Sequence, residues 1–200
     1  QNMTPEEKVG QLFLVAFQGR EITETSEIYD LIAKHHIGGV VLNIANDNFT
    51  SLNTVENTYQ LIKQIQQIEW ENSQTVNTEQ NNSEPSNYIP MFVAISQEGD
   101  SYPYNSIING VTNLPSQLAI GATWDLNLSE QVGNVLGKEL STLGINLLLG
   151  PSLDVLDLPY VEGGDDLGAR TFGGDPFWVG ELGKAYIRGV HSGSNNQIAV

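Results

Sequence analysis

Between Leu143 and Pro176 the chain reads LGINLLLGPSLDV, then a loop of acids and glycines, then GARTFGGDP. Four aspartates (Asp154, Asp157, Asp165 and Asp166) and Arg170 follow a continuous apolar run, Ile145 to Leu149, that stops at Gly150-Pro151. Carboxylates supply hydrogen-bond acceptors and negative charge, and a guanidinium supplies a rigid fork of donors. An apolar run with such groups gathered past its carboxyl end has the pattern of an α/β active-site rim. A smaller polar set, Ser96, Glu98 and Asp100, follows the apolar run Met91 to Ile95 in the same way.

The elements that would position these groups can be followed in chain order. Thr4-Pro5-Glu6-Glu7 is a helix start, with Thr4 as N-cap, Pro5 first in the helix and Glu7 third. Leu12 to Phe17 is an apolar run of strand length, closed by Gly19. Ile28, Leu31, Ile32 and His35 recur at three- and four-residue spacing, which predicts an amphipathic helix ending at Gly38-Gly39. Val40-Val41-Leu42 follows as a second strand. This β-α-β unit predicts parallel strands and a right-handed crossover.

Val55 to Trp70 predicts another helix, with Tyr59, Ile62, Ile65 and Trp70 among its apolar positions. From Glu71 to Asn87 the chain is mostly Asn, Gln, Ser, Thr and Glu, with Val76 its only aliphatic residue. Such a segment buries too little apolar surface to offset its ordering entropy, so a solvated insertion is expected at about 71–88. The pattern resumes at Pro90 with the strand Met91 to Ile95. Asp125 then caps a long helix whose inner face is Leu128, Val132, Val135, Leu136, Glu139, Leu140 and Leu143. Gly133 and Gly137 leave a smooth stripe for a close neighbour, and Gly144 is its C-cap. A last helix runs from about Pro176 to His191, and Gln197 to Val200 begins a fifth apolar run.

Strands alternating with helices predict an α/β fold with a parallel sheet and helices outside. A (β/α)8 barrel takes about 250 residues. Five strand starts in 200 residues therefore predict an incomplete N-terminal portion of such a TIM-type barrel, part of a single domain over residues 1–200.

Composition narrows the partners. Twenty-four acidic against eight basic residues give a formal charge of −16. That field repels phosphate backbones and anionic membranes, so nucleic acid is not expected, and neutral or cationic ligands are favoured. Without cysteine, disulfides and thiolate metal sites are excluded. No apolar run reaches the ~18 residues of a transmembrane helix. The start, QNMTPEEK, has neither a basic region nor an apolar core, so no signal peptide is expected in this segment. The Asn/Gln-rich acidic composition leans toward an exported protein and leaves oligomeric state open.

Five ordered segments carry a family resemblance: Met3 to Leu12 (MTPEEKVGQL), Ile37 to Leu42 (IGGVVL), Pro90 to Gly99 (PMFVAISQEG), Leu114 to Thr123 (LPSQLAIGAT), and the run from Gly144 through Pro151 and Asp154 to Arg170-Thr-Phe-Gly173. Together they resemble the N-terminal barrel of glycoside hydrolase family 3, the β-glucosidase and β-N-acetylglucosaminidase group. The resemblance implies hydrolysis of β-linked glucosyl or N-acetylglucosaminyl bonds with retention of configuration and no cofactor. Retention requires two groups astride the bond, at about 5–5.5 Å for a carboxylate pair. The family nucleophile is an aspartate on a later strand, expected after residue 200, so no catalytic residue is expected here and the segment alone should be inactive. Arg170 matches the family arginine that donates to sugar hydroxyls. Its planar fork suits vicinal hydroxyls or an orienting carboxylate. Asp154 matches the aspartate of a Pro-x-x-Asp turn and would either orient Arg170 or touch sugar.

The chain departs from the family where Asp-Gln-Glu-Gly-Gly is usual and Ser96-Gln-Glu-Gly-Asp100 stands. The family aspartate grips two sugar hydroxyls, whereas Ser96 is short and uncharged. Losing such a charge-assisted bond is worth about 1.5–3 kcal/mol. An arginine that often follows is replaced near Tyr104. Glu98 or Asp100 could compensate; otherwise the preferred sugar is shifted or the site is dead, and the alternative reading is a non-catalytic carbohydrate-binding or scaffolding barrel. The substrate-binding candidates are therefore Arg170, Asp154, Glu98 and Ser96, each with a plainer alternative: a loop tie for Arg170 and Asp154, a hydrogen-bond filler for Ser96. Glu162 to Asp166 lacks the alternating spacing of a calcium loop and reads as a solvated turn, so no metal site is expected. His35-His36 reads as a helix cap. Trp70, Trp124 and Trp178 fall at helix ends and read as core packing.

Overall fold

The computed structural model describes residues 3–74, 88–100, 105–156 and 168–200. They fall into two compact units, Gln1–Ala94 and Ile95–Val200. In the first, α1 (Pro5–Gly10) opens with the expected capping box: Glu7 N donates to Thr4 Oγ1 (3.1 Å) and Thr4 N donates to the Glu7 carboxylate (2.8 Å). Two orphan amides at the helix start are thereby satisfied, and Pro5 at the first helical position has none to satisfy. Strand β1 (Leu14–Ala16), helix α2 (Glu27–His35) and strand β2 (Gly39–Leu42) form the predicted β-α-β unit, with Leu14, Val15 and Ala16 parallel to Gly39, Val40 and Val41. β1 is shorter than its apolar run because Leu12 N and Phe13 N bond back to the carbonyls of Val9 and Gly10, prolonging the turn of α1. Helix α2 stops at His35 rather than reaching Gly38-Gly39. His36 takes a left-handed conformation (φ 47°) and donates its N–H to Ile32 O, which ends the helix.

Helix α3 (Thr54–Ser73) runs three residues beyond Trp70 into the polar stretch, and Glu69 and Ser73 are buried on it. The remainder of the expected insertion, residues 75–87, lies outside the described residues. α3 also sets the next strand. The Gln66 amide clasps the Met91 backbone, donating to its carbonyl (2.9 Å) and accepting from its N–H (3.1 Å). Strand β3 (Phe92–Ile95) then joins β2 through Phe92 N to Gly38 O (2.9 Å). The core between these strands and helices is aliphatic, with Ile32, Val40, Ile65 and Val93 fully buried.

In the second unit, Leu149 N donates to Ile95 O (2.9 Å), so β4 (Leu147–Leu148) follows the end of β3. A short helix between them, α4 (Gln117–Gly121), sits inside the segment Leu114 to Thr123 and is not anticipated by periodicity, since it is barely longer than one turn. Helix α5 (Leu126–Leu143) is capped by Asp125, whose Oδ1 accepts from Asn127 N (2.9 Å) and Leu128 N (3.3 Å), and ends at Gly144 (φ 90°). Helix α6 (Pro176–Gly193) follows, capped by Asp175. Ala199 makes a parallel bridge with Leu147, which is the start of the fifth strand. Among the described residues no helix is long and apolar enough to cross a membrane.

The glycine stripe on α5 does what its spacing suggests. A Cβ on Gly133 would collide with the Tyr186 carbonyl, and one on Gly137 with the Val190 carbonyl; Gly189 and Gly193 of α6 face the Glu130 and Asn134 carbonyls in the same way. Backbone meets backbone. Val132, Leu136, Leu140 and Leu143 are buried as expected, but Val135 is 37% exposed. It stands about 200° round the helix from Gly133, on the side opposite the neighbour.

Two predictions follow from these contacts. Gly137→Ala forces the two backbones apart and should cost about 1–3 kcal/mol in unfolding experiments, whereas Gly180→Ala, with nothing near its Cβ position, should be neutral or stabilising. The second concerns His36, whose Nδ1 lies 3.3 Å from Glu69 Oε1, on a carboxylate only 2% exposed. The hydrogen bond to Glu69 raises the His36 pKa above 6.5; burial opposes this, and the Glu69 and Glu7 charges add to it. A raised folded-state pKa stabilises fully below the unfolded value and is lost as pH climbs through the folded value. Unfolding free energy should therefore decline from about pH 6.5 upward, and Glu69→Gln should flatten that slope.

Candidate functional site

The site is built from three backbone segments that hold one another. The first leaves β3 as Ser96-Gln97-Glu98-Gly99-Asp100. Gln97 is buried and clasps Ile107, donating from Nε2 to its carbonyl (2.8 Å) and accepting at Oε1 from its N–H (3.0 Å). Gly99 N donates to the buried Asn105 Oδ1 (2.7 Å), and a Cβ on Gly99 would collide with the Pro115 carbonyl. The backbone is thus fixed on both sides of Glu98 by neutral amides. In an extended segment neighbouring side chains point oppositely, so pinning Gln97 to the loop commits Glu98 to the other side. Glu98 is itself only 7% exposed. Its Oε1 lies 3.5 Å from where a Cβ on Gly150 would be, past the end of β4.

The second and third segments are the turn that carries Arg170 and the strand-end loop that carries Asp154. Leu118 N of α4 donates to Ala169 O (3.1 Å), and Gly121 of α4 lets the Phe172 carbonyl approach where any Cβ would clash. Thr171 is fully buried; its hydroxyl donates to Asp154 O (2.7 Å) and accepts from Gly173 N (3.2 Å). Leu156 N donates to Gly173 O (3.0 Å). Thr171, Phe172 and Gly173 are therefore the anchors, and Arg170 is the residue they present.

Arg170 Nε lies 3.7 Å from Glu98 Oε2, with the arginine side chain 38% exposed. At that distance Nε itself attracts the carboxylate without hydrogen-bonding it. Burial raises the Glu98 pKa above its usual 4.5, and the charge of Arg170 and a hydrogen bond with it pull the value back only in part. Tyr186 is buried behind the pair against Phe172, ring centroids 6.0 Å apart. Its own burial, with the Glu98 charge adding, holds its phenol far above the ordinary value, so it stays protonated.

Of the four residues singled out from sequence, Glu98 and Arg170 come together. Asp154 does not join them through its side chain: it is exposed, and its Oδ2 accepts from Ser152 Oγ (3.0 Å). It is the Asp154 carbonyl, through Thr171, that supports the Arg170 turn. Ser96 is half-buried and its carbonyl accepts from Ser106 N (3.2 Å), while its hydroxyl bonds to no described residue. Asp100 is exposed in a left-handed conformation (φ 55°), with its N–H bonded to Leu114 O. Tyr104, Asp157 and Glu162 to Asp166 lie outside the described residues. Sequence reasoning missed Gln97, Thr171 and α4 as positioning elements; the signal available was their place inside the quoted motifs. The tryptophans also differ from expectation, because Trp70 and Trp124 are 51% and 60% exposed rather than core. His36 does end its helix, with the Glu69 carboxylate as its ring partner.

Chemically, a half-exposed fork of donors beside a buried carboxylate can hold a ligand with adjacent polar groups, one accepting from the guanidinium and one donating to Glu98. Among the described residues no group of three His, Asp or Glu side chains could hold a metal ion.

Comparison with known proteins gives this geometry a lineage. Residues 4–198 match the family model described as glycosyl hydrolase family 3 N terminal domain. The chain is similar to beta-hexosaminidase A of Pseudoalteromonas piscicida, 30% identical over 167 residues, covering 81% of this chain and 24% of that protein. It is 38% identical over 89 residues to beta-glucosidase 1 of Saccharomycopsis fibuligera, covering 44% and 10%. Among solved structures it superimposes on a family 3 beta-N-acetylglucosaminidase from Paenibacillus sp. str. FPU-7 with a TM-score of 0.78 at 30% identity, covering 96% of this chain and 32% of that one. The chain thus spans less than a third of each of these proteins. Its α/β fold with parallel strands is an N-terminal portion of the (β/α)8 TIM-type barrel. On the match across nearly its whole length, the chain belongs to glycosyl hydrolase family 3.

Proposed function

We propose that this chain supplies one wall of the first sugar subsite in a retaining glycoside hydrolase that acts on terminal β-linked glucosyl or N-acetylglucosaminyl residues. Residues 1–200 are read as the N-terminal part of one barrel domain, with the nucleophile and the acid/base contributed by other parts of the polypeptide. The observation that carries the reading is the Glu98–Arg170 pair, which sits past the strand ends where an α/β barrel does its chemistry. The substrate class is supported by the relatives, named as beta-hexosaminidase, beta-glucosidase and beta-N-acetylglucosaminidase. In this reading Arg170 donates to two adjacent hydroxyls. Glu98, two residues beyond Ser96, returns the negative acceptor that Ser96 lacks. Asp154 supports this wall through its carbonyl and Thr171, with its carboxylate exposed and bonded to Ser152. Ser96, whose hydroxyl bonds to no described residue, is a further candidate for contact with the sugar.

The Ser96 departure favours a second reading, a barrel that binds carbohydrate without cleaving it. A retaining enzyme requires an aspartate at a later strand end of the full-length protein, and its replacement there would leave only binding.

Two measurements test the leading reading. In the full-length protein Arg170→Ala should lower kcat/KM on an aryl β-glucoside or β-N-acetylglucosaminide by about 10- to 100-fold, the value of a charge-assisted hydrogen bond or two; unchanged kinetics would sink the role. Glu98→Gln should separate stability from function. Because burial raises the Glu98 pKa, its ionised form costs stability above pH 4.5, and this cost disappears as pH falls below that value. The variant should therefore be at least as stable as the parent at pH 7, show no advantage below pH 4.5, and bind sugar more weakly. A variant that is less stable at pH 7 would mean that Glu98 is a structural tie.

A further inference from the structure

The turn that presents Arg170 also forms one side of a separate cleft in the second unit. Its volume is about 170 Å³, and its walls include Trp124, Trp178, Phe172, Gly173, Gly174 and Asp175. Trp124 follows α4 in a left-handed conformation (φ 55°) and is 60% exposed. Its ring meets Trp178 edge to face at 5.1 Å, and Trp178 meets Phe177 in the same manner at 5.4 Å. Phe177 is 65% exposed. Three aromatic rings in contact, two of them mostly in solvent, are costly to leave uncovered. Hydrophobic burial inside the fold does not explain them.

We propose that this aromatic cleft is a second carbohydrate subsite, holding a hexopyranose ring of a β-linked oligosaccharide beyond the unit held at Arg170. Size, charge and lining select this occupant. The volume is well below the about 300–1,000 Å³ of sites for larger organic ligands, which suits one ring. The formal charge of −16 disfavours anions, so a neutral ligand fits. The indole faces carry negative quadrupole density, complementary to the weakly positive C–H face of a pyranose. Asp175 Oδ1 accepts from Phe177 N (2.9 Å) and Trp178 N (3.1 Å), while Oδ2 makes no hydrogen bond among the described residues. It is placed as an acceptor for a sugar hydroxyl. Phe172 and Gly173, two and three residues beyond Arg170, line the cleft and anchor the turn that presents Arg170, so a ring at each would be steps along one chain of sugars. The cleft rests on the Arg170 reading for the class of sugar only; its aromatic lining is an independent observation.

The test uses the full-length protein and non-hydrolysable thio-linked β-1,4 tetrasaccharides of glucose and of N-acetylglucosamine, with binding followed by calorimetry and tryptophan fluorescence. Trp124→Ala should weaken tetrasaccharide binding by up to about tenfold, the scale of one aromatic stacking contact, both in the parent and in an Arg170→Ala background. Trp124→Phe should restore most of it. In the unaltered protein, the tetrasaccharide should shield tryptophan from acrylamide quenching, a readout that does not depend on any variant folding. Equal affinity for Trp124→Ala and the parent, or no shielding by saturating tetrasaccharide, overturns the proposal. So does a Trp124 already inaccessible to acrylamide before sugar is added, which would mean that a protein segment covers the rings. Should Arg170→Ala bind unchanged while Trp124→Ala weakens, the first-subsite reading fails and the cleft stands.

Discussion

A carboxylate buried beside an arginine is the constraint around which the second unit is arranged. Glu98 is 7% exposed, and its partner Arg170 offsets the cost of burying its charge only in part. Taking a charge out of water costs more than a single ion pair at this separation returns, which is why burial dominates its pKa. Such a residue does not hold a fold together. The surrounding backbone must hold it, and most of the specific hydrogen bonds near the site have that task.

Those hydrogen bonds share a physical character. Gln97 to Ile107, Asn105 to Gly99 and Thr171 to Asp154 all run from a buried neutral side chain to backbone. Buried neutral groups are cheap to satisfy and do not shift with pH. They fix chain direction at the strand ends without adding further charge beside Glu98 and Arg170. α4 completes the arrangement from outside, one amide bonded to the Arg170 turn and one glycine packed against it. The same turn then continues into the aromatic cleft, so one rigid segment serves two places on the surface.

The helix pair α5–α6 supplies the rigidity behind the turn. Glycines facing carbonyls on both helices bring the two backbones into contact without side chains between them. Ser129, fully buried, adds a hydrogen bond from its hydroxyl to Leu182 O (2.8 Å). With α6 fixed in this way, Asp175 at its start is fixed too, and so is the end of the segment that begins at Arg170.

Local chemistry made much of this legible from the sequence alone. The Thr4-Pro5-Glu6-Glu7 cap, the Asp125 cap, the Gly144 stop and the strand-helix alternation depend on residues near one another in the chain, and so did the expectation of parallel strands. The glycine stripe on α5 was visible as spacing, although which side of the helix it left exposed at Val135 was settled by where α6 packs. Glu98 and Arg170 were each marked by their motifs, but their pairing spans seventy-odd residues and no local pattern specifies it. Asp154 shows the difference most clearly. Its motif position suggested a charge that braces Arg170, whereas packing uses its carbonyl, through a buried threonine, and turns the carboxylate to Ser152. The tryptophans followed the same rule: their helix-end positions could be read from the sequence, and their exposure was decided by tertiary contacts. Sequence determined which groups are present and which elements carry them; only the packed structure decided which atom of each group faces its neighbour.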